Sequence, residues 1–189
     1  MNLSAVLLAG GESRRMGKDK ATLSFRGKPL WQIQLELLRR LEPAEIFVSA
    51  RIDPAWRSAD VQFVADNLPS RGPISGIAAS LAQMHTTHLL TLAIDMPSMS
   101  ENYLRYLCGQ IDPGIGVVPI IDKRAEPLAA IYPRDAHSNF RSALASTDFS
   151  LQSIVRRLIE SGKLRDIRVK EHETKFFLNI NEHSDVAAL

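Results

Sequence analysis

Ala5-Val6-Leu7-Leu8-Ala9-Gly10-Gly11-Glu12-Ser13-Arg14-Arg15-Met16-Gly17-Lys18-Asp19-Lys20 begins as a short apolar run and passes without a break into a glycine-rich, basic loop. The run Ala5 to Leu8 reads as a buried strand, because it is far too short to span a bilayer and has no basic residues ahead of it. Glycines after it let the backbone approach a ligand closely and aim successive N–H groups inward, and Arg14, Arg15, Lys18 and Lys20 add positive charge for phosphate oxygens. Together the glycines, Gly10 and Gly11 among them, and these cations describe a triphosphate cradle. Two familiar phosphate motifs fail on spacing. Counting back from Gly17-Lys18 puts Glu12 where a Walker loop needs its first glycine and Asp19 where it needs a hydroxyl, and the adjacent pair Gly10-Gly11 breaks a dinucleotide fingerprint. The plainer alternative, a flexible basic loop, need not start on a buried strand or concentrate four cations in seven residues.

Outward from this stretch, apolar and β-branched runs recur at Ile46 to Ser49, Val61 to Val64, Leu89 to Ile94, Gly116 to Ile120 and Leu128 to Tyr132. Amphipathic stretches separate them. Pro29 opens one, with Leu30, Ile33, Leu37, Leu38 and Leu41 at helical spacing until Pro43. Ser98 and Glu101 have capping-box spacing ahead of Tyr103 to Leu107, Asp135 to Leu144 reads as a further helix, and Ser150 caps another that Gly162 ends. Near-continuous apolar strands alternating with helices predict an α/β fold, a three-layer sandwich whose central sheet is mostly parallel and covered on both faces. The 189 residues suit one domain, 1–189, with no repeat or linker to divide it.

In such a sheet, ligands bind beyond the carboxyl ends of the strands. Asp95 ends the apolar run Leu89 to Ile94 and is the expected Mg²⁺ ligand, since that ion takes one or two carboxylates together with substrate phosphates. The alternative is a helix cap, for which Ser98 is better placed. Asp66 follows the run Val61 to Val64 and leads into Gly72-Pro73-Ile74-Ser75-Gly76-Ile77, a turn and helix start whose backbone groups can read a base or ribose while Asp66 accepts a hydroxyl hydrogen bond.

Lys plus Arg number 23 and Asp plus Glu 21, so no global field attracts nucleic acid or an anionic membrane. The lone Cys108 cannot form an internal disulfide and reads as an inert, half-buried thiol, which with the missing leader suggests a cytoplasmic protein. His85 and His88 have no third ligand nearby, and Glu171-His172-Glu173 reads as a solvated connection.

The strings LAGGESRRMGKDKATL, FRGKPL, GPISGI, AIDMP, EPLAAIY and FFLNIN, in that order along almost the whole chain, resemble the molybdenum cofactor guanylyltransferase family of Rossmann-like nucleotidyltransferases. The resemblance implies transfer of GMP from GTP to molybdopterin, or its molybdenum-loaded form, with Mg²⁺ and release of pyrophosphate. It also implies transient contact with proteins that load molybdopterin or receive the finished cofactor. Residue by residue, it puts Leu8, Ala9 and Gly10 on the nucleotide, Lys20 on phosphate, Asp66 on a second nucleotide contact and Asp95 on magnesium. Asn179 and Asn181 fall in its Asn-x-Asn segment, on substrate or beside the metal. Ser49 stands where guanine-specific members carry an asparagine, and Glu182-His183-Ser184-Asp185 replaces a Thr-Pro-Glu-Asp-like ending, so CTP or another triphosphate is the alternative. The chemistry so implied is in-line attack by an acceptor phosphate oxygen, with Lys20, Arg14 and Arg15 as catalytic cations and no general base. The rivals are a sugar-phosphate or alditol-phosphate nucleotidyltransferase and a non-catalytic nucleotide-binding adaptor.

Overall fold

The computed structural model describes residues 2–10, 20–66, 70–147 and 150–180; Gly11, Arg14, Arg15 and Asn181 lie outside them. Strand β1 (Leu3–Leu8) is buried along its whole length. Its side chains alternate between two cores: Leu3, Ala5 and Leu7 join one cluster, and Val6 and Leu8 the other. A single 3₁₀ turn, Lys20–Thr22, leads to the antiparallel pair β2 (Ser24–Phe25) and β3 (Lys28–Pro29). Arg26 and Gly27 between them both have positive φ, 51° and 80°, the tight-turn geometry that matches strand twist.

Helix α1 (Leu30–Arg40) buries Leu30, Gln34, Leu35, Leu37 and Leu38, and stops where Glu42 turns to φ 53° ahead of Pro43. The chain continues through β4 (Glu45–Ala50), β5 (Gln62–Ala65), α2 (Pro73–Gln83), β6 (His88–Ala93), α3 (Glu101–Cys108), β7 (Gly116–Ile121), β8 (Arg124–Ala125), β9 (Ile131–Pro133), α4 (His137–Ala145), α5 (Leu151–Glu160) and β10 (Leu164–Arg168). The large sheet has the order β10-β7-β9-β6-β1-β4-β5, with β8 beside β7. Its described pairs are parallel except those made by β8 and β9. Residues of α1 and α3 pack in the core on one face and residues of α2, α4 and α5 in the core on the other, giving the expected three layers.

Two local expectations are corrected, and two elements are added. Leu128 to Tyr132 is not one strand: Pro127–Ala129 forms a 3₁₀ turn and only Ile131–Pro133 pairs, antiparallel to β6. Side chains hold that turn, since the Thr91 and Tyr132 hydroxyls donate to the Pro127 carbonyl at 3.2 and 2.8 Å. Ser98 does not cap α3. Met99 N–H bonds back to Met96 O, which closes a turn around Ser98, and Ser100 takes the cap position, its carbonyl accepting the Leu104 N–H. Glu171–Phe177 forms a 3₁₀ helix within the expected solvated connection, Glu171 and His172 being exposed. The strand β10 was not foreseen, because an edge strand carries charge along its length and Arg165, Asp166 and Arg168 mask its periodicity.

Among the described residues no helix is long and apolar enough to cross a membrane. Cys108 ends α3 as a buried residue, and burial pushes its thiol up to about 11.

Candidate active site

The adjacent strands β6, β1, β4 and β5 run parallel, so their carboxyl ends form one edge. The register sets Leu8 level with Ser49 on one side and Ala93 on the other, and Ala50 level with Ala65. The residues that follow each strand therefore meet. Ala9 N–H donates to Ser49 O at 2.9 Å and Ile94 N–H to Leu8 O at 3.2 Å, so these backbone groups extend the sheet rather than point toward a ligand.

Lys20 and Asp95 are brought together. Lys20 Nζ lies 2.7 Å from Asp95 Oδ2, with 23% and 21% of the two side chains exposed. Lys20 is delivered by the 3₁₀ turn that Ala21, 1% exposed, anchors in the core. Asp95 stands two residues past β6 and is braced from behind, its carbonyl accepting the Ile180 N–H at 2.8 Å. That bond carries the exposed Asn179 to the same turn. The C-terminal segment is held by Phe176 and Phe177, whose rings lie 5.7 and 5.4 Å from Tyr103 on α3. Sequence reading missed the Ile180 bond, for which no local signal exists.

Ser49 and Asp66 form a second cluster. Ser49 Oγ donates to Asp66 Oδ1 at 2.7 Å, Ser70 Oγ to Oδ2 at 3.3 Å, and Asp66 N–H bonds to Ala50 O at 3.1 Å. Glycines close round them. A Cβ on Gly10 would stand 2.8 Å from Asp66 Oδ2, and one on Gly76 would stand 2.2 Å from Ser49 Oγ and 3.1 Å from Leu8 Cδ2. Gly72 caps α2 with φ 68°, a conformation that side chains disfavour, and Pro73 follows as the first helical residue.

The described residues contain no group of three His, Cys, Asp or Glu side chains able to hold a metal ion. Asp95 is a single hard oxygen donor, suited to a cation that arrives with phosphate oxygens of its own. The two histidines lie at the opposite edge: His85 Nδ1 is 2.8 Å from Glu45, and His88 Nε2 is 3.2 Å from Ile115 O.

Comparison with known proteins extends this picture. A relative from Opitutus terrae, named "probable molybdenum cofactor guanylyltransferase", is 33% identical over 186 residues, 97% of this chain and 92% of the relative. The crystal structure of molybdopterin-guanine dinucleotide biosynthesis protein A from Archaeoglobus fulgidus superposes with a TM-score of 0.76 over 98% of this chain and 95% of its own, at 24% identity. The 4-diphosphocytidyl-2C-methyl-D-erythritol synthase of Anaerococcus prevotii gives 0.73 over 98% and 93% at 15% identity. Both structures are similar in fold. With the model of the MobA-like NTP transferase domain matching residues 5–164, the chain belongs to that family.

Proposed function

We propose that the protein transfers GMP from GTP to the terminal phosphate of molybdopterin or its molybdenum-loaded form, giving the guanine dinucleotide cofactor and pyrophosphate. Family membership and the name of the Opitutus relative support the reaction. The observation that carries it is the 2.7 Å contact between Lys20 and Asp95 at the sheet's carboxyl edge. This puts a phosphate-seeking cation and a metal-seeking carboxylate within reach of one polyphosphate.

An acceptor phosphate oxygen attacks the α-phosphorus, the bond from that phosphorus to the bridging oxygen of the β-phosphate breaks, and pyrophosphate leaves with the electron pair. The attacking oxygen is already anionic at neutral pH, so the protein supplies alignment and charge neutralisation rather than a base. Lys20 turns from Asp95 to the phosphates, where it stabilises charge growing on the transferring and leaving groups; Arg14 and Arg15 assist from the basic loop. Asp95, so released, would hold Mg²⁺, which would supply charge neutralisation for the phosphates. Asp66 accepts a hydrogen bond from the nucleoside, Gly10, Gly11 and Gly72 admit it, Gly76 lets α2 close on Ser49 behind Asp66, and Asn179 and Asn181 serve the acceptor.

The test is to incubate the protein with each of the four triphosphates, Mg²⁺ and molybdopterin, measure pyrophosphate and identify any dinucleotide by mass. Guanine dinucleotide from GTP alone is expected. A cytosine product would reassign the base, and tight GTP binding without pyrophosphate release would make the protein an adaptor.

A further inference from the structure

Ser49, near the end of β4, stands where the family resemblance expects a nucleotide contact, yet its one hydroxyl proton is already committed. The residue is 2% exposed. Its hydroxyl has one proton, and that proton is donated to Asp66 Oδ1 at 2.7 Å. On another side the oxygen is closed off by α2, since a Cβ added to Gly76 would come within 2.2 Å of it. Its carbonyl accepts the Ala9 N–H. The serine is thus enclosed between the first loop, the second helix and a carboxylate.

Asp66, in contrast, has two oxygens, each able to accept more than one hydrogen bond. Ser70 reaches Oδ2 at a long 3.3 Å, and the same oxygen faces Gly10 closely enough that a Cβ there would stand 2.8 Å away. The side of Asp66 turned toward the glycine loop is therefore the side that a ligand seated on that loop would meet, and Ser49 fixes which way the carboxylate turns.

We infer that Ser49 is a positioning residue: it holds the Asp66 carboxylate toward the nucleoside and does not itself read the base. This rests on the nucleotide being bound at the edge proposed above. Base choice then belongs to Asp66 and the surrounding backbone, and the hydroxyl at position 49 contributes only through Asp66.

A double-mutant cycle read by equilibrium binding of GTP, CTP, ATP and UTP to the purified chain tests this without requiring turnover. Ser49→Ala in the wild-type background should weaken triphosphate binding about tenfold, the loss of one hydrogen bond to a charged acceptor. Asp66→Ala should change the ranking of the four triphosphates, and any change caused by Ser49→Ala should be smaller and in the same sense. In the Asp66→Ala background, Ser49→Ala should have no further effect on binding. Additive losses, or a change of base preference caused by Ser49→Ala and not by Asp66→Ala, overturn the inference. Asp66→Asn provides a second arm if Asp66→Ala does not fold, and there Ser49→Ala should lose less than in the wild type. Failure of the wild type to bind any triphosphate refutes the proposed function itself, an outcome distinct from additivity.

Discussion

Asp95 and Asp66 stand beyond the tips of two parallel strands, β6 and β5, with β1 and β4 between them, and they are held in opposite ways. Asp95 is paired with an ammonium on a flexible stem, and a fifth of its side chain meets solvent. Asp66 is 8% exposed, is bonded by hydroxyls from Ser49 and Ser70, and is bordered by the backbone of Gly10. An ion pair with about a fifth of each side chain in solvent can exchange partners at modest cost, because water and substrate compensate each partner. A buried carboxylate cannot be moved without stranding its donors. The difference teaches that one edge of one sheet contains both a charge that is free to change partners and a shape that must not change.

The largest effect expected comes from breaking the exchangeable side. Asp95→Ala and Lys20→Ala should each lower transfer by about 10²–10³-fold, the usual loss for one preorganised charge. Their unfolding free energies should change by less than about 1 kcal/mol, as suits a part-exposed pair. Wild-type turnover by either variant would refute its role. Breaking the fixed side should reverse that emphasis: Gly76→Ala forces Ser49 off Asp66 or moves α2, and should cost about 1–3 kcal/mol in urea unfolding. Unchanged stability together with unchanged GTP affinity would show that the wall around Ser49 is loose.

Smaller effects sharpen the contrast from behind. The Tyr103 hydroxyl is buried with no hydrogen-bond partner among the described residues, while its ring packs on Phe176 and Phe177. Tyr103→Phe should keep the ring contacts that support the Asp95 turn and leave stability equal or about 1 kcal/mol higher in thermal melts; a clear drop would reveal a hidden partner. The smallest effect belongs to the far end of β6, where burial holds the His88 imidazole below its ordinary pKa of 6.5. The unfolded chain takes up that proton first, so the contribution is complete above about pH 6.5 and fades as pH falls from there toward the folded value. His88→Gln should flatten this part of a stability–pH curve, and a profile identical to wild type would contradict it.

The fold was legible wherever a buried run stops at glycines or at a lone polar residue, since that pattern is local: β1 runs into its glycines and β6 ends ahead of Asp95. The partnership of Ser49 and Asp66 was not legible, because it depends on Ala50 lying level with Ala65, and register is a property of two strands rather than of either sequence. Ser49 was expected at the nucleotide from the family resemblance, and its hydroxyl points at the Asp66 side chain. The edge strand β10 and the interrupted strand before Pro133 escaped for related reasons: in one, charges suit an edge, and in the other, side-chain donors replace a ladder.

The bond from Ile180 to the carbonyl of Asp95 also has a meaning in time. Translation proceeds at about 5–20 residues per second, so the turn bearing Asp95 waits several seconds in the nascent chain for the segment that will brace it. The glycine loop, β4 and β5 have all been made by then. A ribosome stalled before that segment would carry a chain able to build much of its sheet but lacking the brace, and protease sensitivity of stalled chains around Pro97 would record the delay.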